Sequence, residues 1–111
     1  MERGDIRLIL VNTPDIVGKE IKSHLGVVKG EIVQSRNVGR DLLAGLKTIV
    51  GGEISSYTEM IQQARQIATD RMIQEAEELG ADAIVNIRFG SSSVLQGCAE
   101  MIVYGTAVKL K

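Results

Sequence analysis

The stretch Ser56-Tyr-Thr-Glu-Met-Ile-Gln-Gln-Ala-Arg-Gln-Ile-Ala-Thr-Asp-Arg-Met-Ile-Gln-Glu-Ala-Glu-Glu-Leu-Gly80 reads as one long amphipathic helix, and the rest of the chain is arranged around it. Ser56 followed by Glu59 forms a capping box, in which hydroxyl and carboxylate each satisfy an orphaned N–H at the helix start. Tyr57, Met60, Ile61, Ala64, Ala68, Met72, Ala76 and Leu79 recur every three or four residues and lay an apolar stripe along the rod. Gly80 closes it. A helix of this length spans roughly 36 Å, more than a three-stranded sheet requires, so part of the stripe is expected to face another subunit. The acidic run Glu75, Glu77, Glu78 reads as a solvated face.

Immediately upstream, Arg36-Asn-Val-Gly-Arg-Asp-Leu-Leu-Ala-Gly-Leu-Lys-Thr-Ile-Val-Gly-Gly-Glu53 joins a strand-rich first third to this helix. Asn37 is a suitable N-cap, and Asp41 falls in the first turn, near the positive end of the helix dipole. Leu42, Leu43, Leu46, Ile49 and Val50 supply the stripe of a short helix, which Gly51 and Gly52 stop. A glycine inside a helix costs about 1 kcal/mol relative to alanine. Gly45 therefore implies close approach of another backbone.

The remaining segments carry strand patterns. Ile6 to Val11 is nearly continuous in apolar character, as expected of a strand covered on both faces. The cluster Asn12-Thr-Pro-Asp15 ends it in a turn. Glu20 to Ser35 reads as a long strand, apolar on its odd positions near the start, with Gly26 and Gly30 marking bends or bulges where parity changes. Ala83, Val85, Ile87 and Phe89 alternate with polar neighbours, giving a strand with one buried face. Gly90 to Gly97 reads as a turn or loop. Met101 to Leu110 is apolar enough on both faces to be covered on both.

The chain has 111 residues, which suits a single domain. Its 44% apolar and 24% charged content is that of a globular protein rather than a disordered one. A net charge of -1 provides no electrostatic footprint for nucleic acid or an anionic membrane. With Tyr57, Phe89 and Tyr104 as the only aromatics, base-stacking platforms are not expected. Cys98 is the only cysteine, so no intramolecular disulfide forms, in keeping with a reducing compartment. No signal peptide or run of about 20 apolar residues is visible. The expected location is the cytoplasm, with no membrane or nucleic-acid partner.

Five motifs in register, Asn37-Val-Gly-Arg-Asp41, Thr48-Ile-Val-Gly-Gly-Glu53, Tyr57-Thr-Glu59, Gly80-Ala-Asp-Ala-Ile-Val85 and Tyr104-Gly-Thr-Ala-Val108, resemble the YbjQ-like family. The resemblance runs from about Asn12 to Leu110. It implies a dodecin-like α+β fold in which an antiparallel sheet packs against one long and one short helix. It also implies a homopentameric ring in which short extra strands from neighbouring subunits join, so Ile6 to Val11 is expected to pair across a subunit boundary. The family's heavy-metal label points to carrier domains that hold metal on two thiolates spaced two residues apart. Cys98, between Gly97 and Ala99, has no such partner.

Three chemistries remain to be weighed. A metal would have His24 and Cys98 as its soft or borderline donors, and a closed zinc site generally takes four ligands. A ring could gather five copies of either residue, yet a solvent-facing His24 and a small buried Cys98 fit the same sequence. Met60 and Met72 belong to the packing stripe. No metal ligand or cofactor is therefore assigned. An anion or nucleotide-like ligand would use the start of the long helix, with Arg36, Asn37, Arg40, Asp41, Gly51, Gly52 and Glu53 as the binding set. That stretch lacks the lysine and spacing of a P-loop, and a simple helix-to-helix connection explains its glycines equally well. Asp41 with Glu53 has no accompanying nucleophile, so catalysis is not expected. The function read from the sequence is a ring-forming homo-oligomeric assembly or binding protein, not an enzyme. Intersubunit metal binding and small-anion binding are the alternatives.

Overall fold

The computed structural model describes residues 8–35, 55–92 and 98–111. They form β1 (Ile9–Leu10), β2 (Ile21–Ser35), α1 (Ser55–Glu78), β3 (Ala83–Ser92) and β4 (Cys98–Leu110). The sheet order is β1-β3-β4-β2. β1 runs parallel to β3, whereas β4 pairs antiparallel with both β3 and β2. The sheet is thus mixed rather than wholly antiparallel. The expected short helix between Asn37 and Gly52 lies outside the described residues.

One face of the sheet is covered by α1. Met60, Ala64, Ala68, Met72 and Ala76 are buried to 5% exposure or less, the last four against Val28, Ile84, Ile87, Met101, Val103 and Ala107. The buried positions from Met60 to Ala76 thus pack within the chain. The reason is strand length. β2 has 15 residues and at about 3.3 Å per residue outruns the helix. Leu79, beyond the last turn, stays exposed.

The small side chains of α1 let the backbones meet. Gly30 on β2 is buried, and a Cβ built there would collide with the carbonyl oxygen of Ala68 and stand 2.7 Å from the Met72 nitrogen. Gly30 is therefore a crossing point and not the bulge its sequence context suggests. The register shifts of β2 fall earlier, between Ile21 and Ser23 and between His24 and Gly26. After them the even positions Val28, Gly30 and Ile32 face α1, and the odd positions Val27, Lys29, Glu31 and Val33 are exposed.

A Schellman motif ends α1. The Gly80 N–H donates to the Glu77 carbonyl and the Ala81 N–H to that of Ala76, both at 3.0 Å, with Gly80 at φ 75°. β3 then buries Ala83, Ile84, Val85 and Ile87. Strict alternation fails at Asn86, whose φ of 56° places it in the left-handed region that asparagine tolerates. This bulge turns Ile87 onto the face of Ile84. Phe89 ends up 53% exposed at the edge, not buried as alternation suggests, and the strand continues to Ser92 into the expected loop.

Among the described residues the second face is covered at one end only. Ala83, Val85 and Val108 are closed over by Ile9, Val11, Ile16, Ile21 and Leu110. Further along, Tyr104 on β4 is 44% exposed in the single chain.

Candidate functional site

The structure separates the residues that could hold a soft metal. His24 is exposed on β2 opposite Val108, whereas Cys98 is half-buried opposite Ser35 at the start of β4. Cys98 and Val108 are ten positions apart on β4, roughly 33 Å at strand rise, so one subunit cannot bring both donors to one ion. Met60 and Met72 are buried among apolar side chains. Among the described residues no group of three or more His, Cys, Asp or Glu is placed to share a metal. The donor set of one subunit does not fit a thiolate carrier site. The candidate anion set, Arg36, Asn37, Arg40, Asp41, Gly51, Gly52 and Glu53, lies outside the described residues. α1 begins at Ser55, one residue before the expected cap.

Two polar arrangements were not foreseen from the sequence. At the outer edge of β2, the Lys29 backbone N–H donates to Glu75 Oε1 at 3.0 Å, and Arg71 Nη1 donates to the Glu31 carbonyl at 2.6 Å. Two side chains of α1 thus cap backbone groups that an edge strand leaves open. Lys29 and Glu31 form an ion pair at 3.4 Å on the same edge. Glu75 is therefore more than a solvated carboxylate. No sequence signal marks it, because its partner is a backbone group 46 residues away.

At the end of the sheet, Asp82 locks the turn after α1 to β4. Its Oδ2 accepts the Leu110 N–H at 2.9 Å, and Lys109 Nζ lies 3.6 Å from Oδ1 while donating to the Gly80 carbonyl at 3.0 Å. The backbone hydrogen bond, aided by the Lys109 charge, holds the Asp82 carboxyl below its ordinary range. This is a structural tether on a partly exposed group.

The other edge of the sheet is different. β1 and the residues after it cover only the start of β3: the Val11 N–H donates to Ile84, and the Asn86 and Ile87 N–H groups donate to Thr13 and Val11. Arg88 Nη1 ties down the Asn12 carbonyl at 2.9 Å. β1 thus pairs with β3 inside its own chain. Beyond it, Arg88 to Ser92 has no strand on its outer side among the described residues. Two clefts flank this edge, of about 460 Å³ and about 360 Å³, with Phe89 as their shared wall.

Residues 8–111 match the family model YbjQ_1, described as "Putative heavy-metal-binding". The chain belongs to the YbjQ family. Among its relatives, a UPF0145 protein of Clostridium novyi is 59% identical over 103 residues, covering 93% of this chain and 99% of that protein. A UPF0145 protein of Thermosipho africanus is 57% identical over 104 residues, covering 94% of this chain and 96% of its own. Neither name states an enzymatic activity. The fold is similar to that of a crystal structure from Pediococcus pentosaceus, a protein of unknown function in the DUF74 family. The TM-score is 0.58 at 14% identity, over 94% of this chain and 98% of that one. Among the described residues no helix is long and apolar enough to cross a membrane.

Proposed function

We propose that this chain is a non-catalytic assembly and binding module that closes into a ring of identical subunits in the cytoplasm, five of them by the family resemblance. The observation that carries this reading is the sheet face opposite α1, bare among the described residues, where Val27, Val33 and Tyr104 are 73%, 61% and 44% exposed. Half-buried Ile102 lies between them on β4. A cluster of apolar side chains on an otherwise charged sheet surface is characteristic of a surface that meets another protein. A ring also supplies what one subunit lacks for the family's metal description, since a closed ring repeats each donor around its axis. Metal binding between subunits is thus the second reading, with Cys98 the donor of suitable softness.

The deciding experiment is native mass spectrometry on protein purified without chelator or added metal, with elemental analysis of the same sample. A pentamer mass supports the assembly reading. A monomer at all concentrations ends it. Stoichiometric metal in the pentamer, lost on Cys98→Ala, would put the metal reading first.

A further inference from the structure

We propose that the open half of the β3 edge, Arg88 to Ser92, receives an extended peptide segment carrying a large apolar side chain two residues from an acidic one. The two edges of the sheet are treated differently. On β2 the edge backbone is capped by Glu75 and Arg71, whereas the outer side of β3 past Ile87 carries no such cap among the described residues. Strand alternation puts the free backbone groups of Phe89 and Ser91 on the side where Ile87 meets Val11. An added strand would continue the line that β1 begins, in the manner of β-augmentation.

The groove beside that edge selects side chains. In an extended peptide, residues two apart point to the same face about 6.6 Å from one another, a spacing that straddles the exposed Phe89 ring. The larger cleft is walled by Leu10, Val11, Met72 and Ile87 and suits a branched apolar side chain. The smaller is walled by Ile61 and Met101 but carries Arg65 and Ser91 at its rim. The Arg65 guanidinium has no ion pair among the described residues. A glutamate fits this second cleft, its methylenes on Ile61 and Met101 and its carboxylate on Arg65. That charge complementarity singles out an acidic peptide as the occupant. The proposal goes beyond the ring reading and stands even if the chain proves monomeric.

The test uses the full chain, labelled with ¹⁵N, and the peptide acetyl-Glu-Thr-Leu-Thr-Glu-amide, which presents the required spacing in either strand direction. Saturable shifts centred on the amides of Phe89 to Ser92 are expected. Arg65→Glu is expected to weaken binding about tenfold by like-charge opposition and to restore it for the peptide with lysine in both outer positions. Arg65→Gln serves as a neutral control at the same exposed position. Three outcomes would overturn the proposal. One is no saturable shift at these amides with millimolar peptide, and another is binding indifferent to the Arg65 variants. The third is protection of these amides in peptide-free protein that disappears on dilution, since a second copy would then hold the edge.

Discussion

Gly30 on β2 lies directly against the carbonyl oxygen of Ala68 on α1, with the backbone nitrogen of Met72 close behind. The obstruction is main chain on both sides, so no rotamer change relieves it. Gly30→Val must push the helix off the strand or bend the strand. Overpacking of a filled core costs about 1–3 kcal/mol, and a backbone collision belongs at the upper end. The expected result is a loss of about 3 kcal/mol in denaturant unfolding, or no folded protein. An unchanged midpoint would mean that the crossing is not tight.

Glu75 gives a different kind of prediction, because it holds an edge rather than a core. Glu75→Ala frees the Lys29 N–H to water, so the stability cost is limited to about 0.5–1.5 kcal/mol, the net worth of one hydrogen bond. The larger effect concerns association. An uncapped edge of a 15-residue strand is a template for pairing, and Glu75→Ala is expected to raise light scattering with concentration while Glu78→Ala, also on exposed α1 surface, does not. Equal behaviour of the two variants would refute the capping role.

The sequence reveals the long helix because its period is local. Met60, Ala64, Ala68, Met72 and Ala76 repeat along one face, and all five are buried. The strands were legible as strands but not as faces. At Asn86 a left-handed residue resets the alternation, and before Gly26 the register of β2 slips. Both depend on a partner strand that the pattern of one strand does not encode. The parallel placement of β1 beside β3 and the capping of β2 by Arg71 and Glu75 are contacts between distant parts of the chain, and no spacing rule marks them. For function, separating His24 from Cys98 needed the register of β4 on β2. The two residues are merely far apart in sequence, which alone forbids nothing.

Asp82 predicts a pH dependence whose sign follows from its hydrogen bond. Its carboxyl is lowered in the folded state from the ordinary 3.8, so the folded state binds the proton more weakly than the unfolded one. The stabilisation is present above the unfolded value and is lost as pH falls through the folded one. With the side chain 41% exposed, solvent screening limits it to the range of surface pairs, below about 1 kcal/mol. Asp82→Asn should lower stability slightly at neutral pH, and the gap should close in urea melts below about pH 4. A gap constant from pH 7 to pH 2 would remove the electrostatic account.

The bare sheet face is tested by a substitution that costs the single subunit little. Val33 is 61% exposed, so Val33→Lys should shift monomer stability by no more than about 0.5 kcal/mol. If the face is a subunit contact, the same change buries a charge without a partner. The oligomer should then dissociate at micromolar protein in sedimentation, with circular dichroism unchanged. An intact assembly would show that the subunits meet elsewhere.

Metal binding, if the family description applies, is constrained by the distance along β4. His24 and Cys98 sit at opposite ends of the β2–β4 ladder, so a metal that uses one cannot use the other from the same subunit. A thiolate is the softer donor, and binding by Cys98 alone needs copies from several subunits. Bound metal should therefore number fewer than one per chain, vanish on Cys98→Ala, survive His24→Ala, and be lost whenever Val33→Lys dissociates the assembly. Elemental analysis of the four proteins after equal exposure to Zn²⁺ reads all of this at once. One ion per chain in a monomeric sample would contradict it, because no single subunit brings enough of the described donors together.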